Sequence, residues 1–342
     1  MSKRQVAMVM DLNKCIGCQT CTVACKTLWT RNDGQQHMLW NTVNTVPGQG
    51  TPHNWESMGG GFNKNGDPQP GHRPSVAEFG KAWDFNYDEA FFGGKPDVRL
   101  RPLGGEPGQG PNHDEDIGAG VFPDNYFFYL PRICNHCTHP ACKEACPRKA
   151  IEKREEDGIV LIDQDHCRGY RYCMEACPYK KIYYNEVKGT SEKCIFCYPR
   201  LEKGVANACA RQCPGRIRFV GYLDDPEGPI HKLVYKYGVA LPLHPEYGTQ
   251  PNVYYVPPLS PEKYDDDGKP TGEMQIPMSY LESLFGKKVH AALALLIDER
   301  EKNRNGLKSE LMDLLIAREW IKTMGPFSKH PRSIEQIKVV VK

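Results

Sequence analysis

No stretch of this 342-residue chain approaches the ~20 consecutive apolar residues that a membrane span needs. An excess of one charge is also missing. Forty-four Lys and Arg against 42 Asp and Glu leave a net +2, which argues against nucleic acid or an anionic membrane as the main partner. The start, MSKRQVAMVMDLNKC, has basic residues but no apolar core of a secretory leader, and Val6–Met10 reads as a strand. There is no phosphate loop, no dinucleotide glycine fingerprint after a strand, and no nucleophile–base constellation, so no catalytic site of its own is expected. Hydrophobic residues make up only 39%, beside 32 Gly and 28 Pro. That balance predicts much irregular structure, held by something other than a large apolar core.

What the chain has is cysteine, 15 in all. They fall into four groups with none left over: Cys15-x2-Cys18-x2-Cys21-x3-Cys25, Cys134-x2-Cys137-x4-Cys142-x3-Cys146, Cys167-x5-Cys173-x3-Cys177 and Cys194-x2-Cys197-x11-Cys209-x3-Cys213. Pro147, Pro178 and Pro214 follow the last cysteine of three groups. This is ferredoxin spacing, in which closely spaced thiolates grip one iron–sulfur cube and the remaining cysteine ligates a neighbouring one. Zinc would favour paired CxxC hooks, and a disulfide framework an even count of scattered cysteines; both fit poorly. Thiolate ligands also agree with assembly in a reducing compartment, so a cytoplasmic location is the alternative to the one reached below.

A complete grid would hold one more cysteine. The gap lies in the third group, where Tyr170 stands between Cys167 and Cys173. A phenol ionises near pH 10 and is a harder ligand than a thiolate, so that corner should lose its iron and leave a [3Fe–4S] cluster of raised potential. The alternative is a cube completed by water while Tyr170 packs. His136, between Cys134 and Cys137, is expected to hydrogen-bond or pack rather than ligate, since thiolates already surround it. Arg148, Lys149, Arg168, Arg171, Lys180 and Lys181 read as a solvated face, or more sharply as a field acting on nearby clusters.

Each group sits beside a β-like run (Val6–Met10, Phe127–Leu130, Ile159–Ile162, Ile182–Tyr184) and continues into a short helix, so the strand–loop–helix unit repeats. The fold class is α+β: two ferredoxin-like, double-cluster modules, a loop-rich insertion and C-terminal helices. In the insertion, Trp29, Trp40, Trp55, Trp83, Phe85, Tyr87, Phe91 and Phe92 predict ordered structure packed on a partner. Asp265-Asp266-Asp267-Gly268 reads as an exposed turn. Val289, Ala292, Leu293, Leu296 and Ile297 trace one helix face, and Leu307, Leu311, Leu314 and Leu315 another. The tail from Gly325 is expected to wrap a partner.

CRGYRYCMEACPYKKIYYN, SEKCIFCYPRLEKGVANACARQCPGR, DLNKCIGCQTCTVACK and VALPLHPEYGTQPNVYYVPPLSP resemble the iron–sulfur β subunits of type II enzymes in the dimethyl sulfoxide reductase family of molybdenum proteins. The likeness runs from residue 6 to about 320, and among members the ethylbenzene dehydrogenase β subunit looks most similar. The resemblance implies an electron-transfer subunit with three [4Fe–4S] clusters and one [3Fe–4S] cluster. Their ligand sets are Cys15, Cys18, Cys21 and Cys213; Cys25, Cys194, Cys197 and Cys209; Cys134, Cys137, Cys142 and Cys177; and Cys146, Cys167 and Cys173 for the three-iron cluster. Nitrate reductase-like members often carry tryptophan where Tyr170 stands; the departure keeps a non-thiolate in that slot.

The implied domains are 1–25 with 178–260 as the first module, 26–126 as the insertion, 127–177 as the second module and 261–342 as helices and tail. The implied partners are a molybdopterin-containing catalytic α subunit and a haem b γ subunit. The chain's shortness relative to nitrate reductase β subunits points to the periplasmic branch, whose β subunits are exported folded with a signal-bearing partner. The alternatives are a β subunit of a selenate, chlorate, perchlorate or nitrate reductase, or of a formate dehydrogenase or hydrogenase; the last two usually carry a transmembrane anchor.

Overall fold

The structure, a computed structural model, describes residues 4–80, 86, 88–101, 118–122, 124–265 and 267–330. Trp83, Phe85, Tyr87, Asp266 and the tail beyond 330 lie outside the described residues. Along the chain run β1 (Val6–Asp11), α1 (Thr20–Trp29), β2 (Thr42–Val46), β3 (Phe128–Arg132), α2 (Ala141–Glu144), β4 (Ile151–Lys153), β5 (Val160–Ile162), α3 (Tyr172–Ala176), β6 (Ile182–Asn185) and β7 (Thr190–Lys193). Next come α4 (Tyr198–Leu201), α5 (Ala208–Arg211), β8 (Arg218–Tyr222), α6 (Pro229–His231), β9 (Leu241–Pro242) and β10 (Val253–Val256). A hairpin of β11 (Glu262–Tyr264) and β12 (Pro270–Met274) precedes α7 (Met278–Phe285), α8 (Val289–Arg304) and α9 (Glu310–Ile316). The content is mixed α and β, with the strands beside the cysteine groups where their β-rich runs predict them.

β1 is buried along its whole length, as its unbroken apolar run requires. It lies inside a four-stranded sheet ordered β8–β1–β10–β9, antiparallel to β8 and parallel to β10. Pairing controls which cysteines meet. Met10 of β1 faces Arg218 of β8, so Cys15 and Cys213, each five residues beyond that pair, leave the same end of the sheet. In the hairpin of β4 and β5, Ile151 faces Ile162, which brings Cys146 and Cys167 together by the same five-residue reach. Ile182 of β6 faces Lys193 of β7, and this carries Cys177 toward Cys194. Helix pairs complete the crossing: α1, with Cys25, packs on α5, with Cys209, and α2, with Cys142, packs on α3.

The apolar core is larger than the composition implies. It runs without a break from the β1 sheet through Trp29, Trp40 and Trp55 to α7, α8 and α9. Burial of each such large side chain contributes about 1.5–3 kcal/mol, so sulfur ligation is not the sole support of the fold. The insertion joins this core through β2, which pairs with β3, and through Trp55, whose ring carries the buried Arg132 guanidinium at 3.5 Å. Phe91 and Phe92, by contrast, are exposed. Helix α8 buries Val289, Ala292, Leu293 and Leu296 but leaves Ile297 half exposed. Leu307 is exposed because it belongs to the connection after Gly306, before Ser309 caps α9 by accepting from the Met312 N–H at 3.1 Å.

Candidate iron–sulfur site

The four cysteine loops share one backbone device. The residue two places after the first cysteine of each group has a left-handed backbone: Gly17 (φ 66°), His136 (φ 43°), Gly169 (φ 66°) and Phe196 (φ 52°). Bulky residues rarely adopt that conformation, and where they do the surroundings impose it. Here His136 and Phe196 hold each other in edge-to-face contact, ring centroids 5.0 Å apart. At Gly17 only glycine fits, because a Cβ would lie 2.5 Å from the Tyr129 ring. A second device follows each Cys-Pro: Lys149, Lys180 and Arg216, three residues after Cys146, Cys177 and Cys213, are left-handed too. The first group lacks the proline, so α1 runs on past Cys25 to Trp29.

None of the fifteen cysteines forms a disulfide. Their mutual electrostatics sort them into sets that cross the sequence groups. Cys15 is pushed up to about 12 by burial, and among the sulfurs Cys21 and Cys213 add to the shift. Burial raises Cys25 as well, aided by Cys194, Cys197 and Cys209 rather than by its own group. Cys137 and Cys142 are raised by burial and by Cys134 and Cys177. Cys173 is pushed up to about 12 by burial and then by Cys167 and Cys146. Other sulfurs link one set to the next. Cys209 feels Cys21 and Cys213, Cys194 feels Cys134 ahead of Cys197 and Cys209, and Cys173 feels Cys177.

Such thiols resist ionisation on their own, and soft metal is what makes a buried thiolate stable. The surroundings fit sulfur-bound clusters. Backbone N–H groups point at sulfur from Ala150 to Cys146 (3.3 Å), Ser191 to Cys167 (3.4 Å) and Phe196 to Cys194 (3.4 Å). Trp29 Nε1 donates to Cys197 at 3.1 Å and Asn41 Nδ2 to Cys21 at 3.2 Å. Other buried donors, Trp40 Nε1, His136 Nε2 and Arg218 Nε, have no protein partner. The sulfides of a cluster are acceptors of that kind. Asn41 and Arg218 carried no signal in the sequence, and Trp29, one helical turn after Cys25, stood there as an aromatic of the insertion and not as a donor to sulfur.

Tyr170 is exposed and stacks on Tyr172, centroids 6.4 Å apart. His136 accepts the Val160 N–H on Nδ1 at 3.1 Å, so its Nε2 carries the proton; burial, with Lys193 and Lys153 nearby, keeps the ring neutral. The basic residues divide. Arg148, Lys149 and Arg168 are exposed, and Arg171 lies over the Tyr184 ring at 4.6 Å. Lys180 and Lys181 are buried, contrary to a solvated face. The Lys181 Nζ donates to Leu39 O (3.0 Å) and Tyr183 Oη (2.9 Å).

A profile described as a 4Fe-4S dicluster domain matches residues 125–223. Dimethylsulfide dehydrogenase subunit beta of Rhodovulum sulfidophilum is 58% identical over 316 residues, 92% of this chain and 97% of its own. The chain belongs to the iron–sulfur β subunits of type II enzymes of the dimethyl sulfoxide reductase family. It is thus similar along nearly its whole length to an electron-transfer subunit of molybdoenzyme complexes, and iron–sulfur clusters are its cofactors. Respiratory nitrate reductase subunit beta of Haloferax mediterranei is 60% identical, covering 91% of this chain and 90% of its own. Selenate reductase subunit beta of Thauera selenatis is 57% identical, covering 92% and 97%. A nitrate reductase β subunit of matching length means that chain length does not separate that branch from the others. Among the described residues of this β subunit, no helix is long and apolar enough to cross a membrane.

Proposed function

We propose that the fifteen cysteines hold three [4Fe–4S] clusters and one [3Fe–4S] cluster in a row. The sets are Cys15, Cys18, Cys21 and Cys213; Cys25, Cys194, Cys197 and Cys209; Cys134, Cys137, Cys142 and Cys177; and, with three irons, Cys146, Cys167 and Cys173. The observation that carries this reading is the packing of α1, which holds Cys25, against α5, which holds Cys209; among sulfurs, Cys194, Cys197 and Cys209 act most on Cys25. It is supported by strand pairing, which brings Cys15 beside Cys213 and Cys146 beside Cys167. The three-iron assignment is supported by Tyr170, whose exposed ring offers the third group no fourth sulfur. Bound clusters supply one-electron storage; the chain's part is to space them, dry them and aim N–H donors at their sulfur.

In this reading the subunit links a molybdenum catalytic subunit to a haem b subunit and works in the periplasm, exported with a signal-bearing partner. The motif likeness makes ethylbenzene dehydrogenase the model for that complex. The three relatives differ in substrate yet share 57–60% identity with this chain, which supports a β subunit that carries electrons and leaves substrate choice to its partner. The test is to isolate the complex from its host. Molybdenum, b-type haem, one three-iron signal and three cubane signals by electron paramagnetic resonance are expected. A complex with neither molybdenum nor haem, or cubane signals alone, contradicts the reading.

A further inference from the structure

Arg218 opens β8 and is 1% exposed. A guanidinium in that setting requires compensating anions, and those acting on it most strongly are all cysteines. Burial alone would lower its pKa, but Cys21, Cys209, Cys213 and Cys15 outweigh burial and raise it. Geometry ties it to one set directly. Its Nη2 donates to Asn41 Oδ1 at 2.6 Å, and Asn41 Nδ2 donates to Cys21 Sγ at 3.2 Å. Its Nε–H is buried with no protein acceptor, as expected of a donor facing cluster sulfur. Cys15, Cys21 and Cys213 belong to the first set; Cys209, of the second, lies on α5, which packs against β8 where Arg218 stands.

We propose that Arg218 is the shared counter-charge of the first two cubes, raising the reduction potential of both. The inference rests on the ligand sets proposed above. An added electron makes either cube more negative, and a fixed cation between them stabilises that electron on each side. The interior screens such a charge weakly, so its removal reaches both cubes.

The experiment is a redox titration, followed by electron paramagnetic resonance, of the assembled complex carrying Arg218→Gln. The wild-type complex must show cubanes that Cys18→Ala and Cys197→Ala remove separately; if it does not, the ligand sets fail whatever Arg218 does. With both cubes present, Arg218→Gln is expected to lower the reduced-to-oxidised ratio of each at fixed poise at least tenfold, 59 mV for a one-electron couple. The other two clusters should move less. A shift in neither cube, or in only one, overturns the proposal. If the glutamine variant fails to assemble its cubes, Arg218→Lys decides. Cubes present with reduced-to-oxidised ratios within tenfold of wild type support a charge effect, and lost cubes or a larger shift overturn it.

Discussion

The indole Nε1 of Trp29 donates a hydrogen bond to the sulfur of Cys197 at 3.1 Å, across 168 residues of sequence. The cause is local. Cys25 is not followed by proline, so α1 continues for one more turn and delivers Trp29 to a sulfur of another group. Donors to cluster sulfur stabilise the reduced form.

Trp29→Phe keeps the buried ring and removes the donor. One hydrogen bond contributes about 1 kcal/mol, so the potential of the cube on Cys25, Cys194, Cys197 and Cys209 should fall by about 40 mV, the one-electron equivalent. Redox titration reads this, and the remaining clusters should hold their potentials. An equal fall at every cluster would point to general loosening instead.

Cys25→Ala should damage the cube that Cys194, Cys197 and Cys209 share and spare the one on Cys15, Cys18 and Cys21. Among sulfurs, those of Cys194, Cys197 and Cys209 act most on Cys25, and its helix packs on the helix of Cys209. Iron content and spectra of the purified variant check this. Loss confined to the Cys15–Cys21 cube would mean that each motif closes on itself.

Tyr170→Cys should convert a three-iron signal into that of a cube, because it supplies the absent thiolate in an exposed loop with room to turn. A well-folded variant that keeps its three-iron signal would show that loop geometry, not ligand identity, excludes the fourth iron.

Gly17→Ala places a Cβ 2.5 Å from the Tyr129 ring at a φ of 66°. The left-handed backbone alone costs about 1–2 kcal/mol for a non-glycine residue, and the ring must also move. Reduced iron content, a lost first cube and a lower melting temperature are expected. Wild-type iron and melting temperature would show the loop to be softer than its packing indicates.

The four motifs and the strands beside them were legible because ligand spacing and strand patterning are local. The strand pairings that draw distant cysteine groups together were not. β1 and β8 lie some two hundred residues apart, and neither strand announces its partner. Lys180 and Lys181 read as surface residues because charge is ordinarily solvated; only the fold shows that carbonyls, a hydroxyl and nearby sulfur receive them. Arg218 is likewise an ordinary arginine until Asn41 and the two cysteine sets surround it. The low apolar fraction hid a continuous core because the insertion's tryptophans and the C-terminal helices add to it from far along the chain.

The central claim is a row of four clusters built from crossed ligands, with the three-iron member at the end remote from the molybdenum partner. An experimental structure of the assembled complex, with iron located by anomalous scattering, tests it most directly. The account predicts iron first at Cys15, Cys18, Cys21 and Cys213, nearest the catalytic subunit. It then predicts iron at Cys25 with Cys194, at Cys134 with Cys177, and last, with three irons, at Cys146, Cys167 and Cys173. A cube closed within a single motif, or the three-iron cluster nearest the molybdenum, would contradict it.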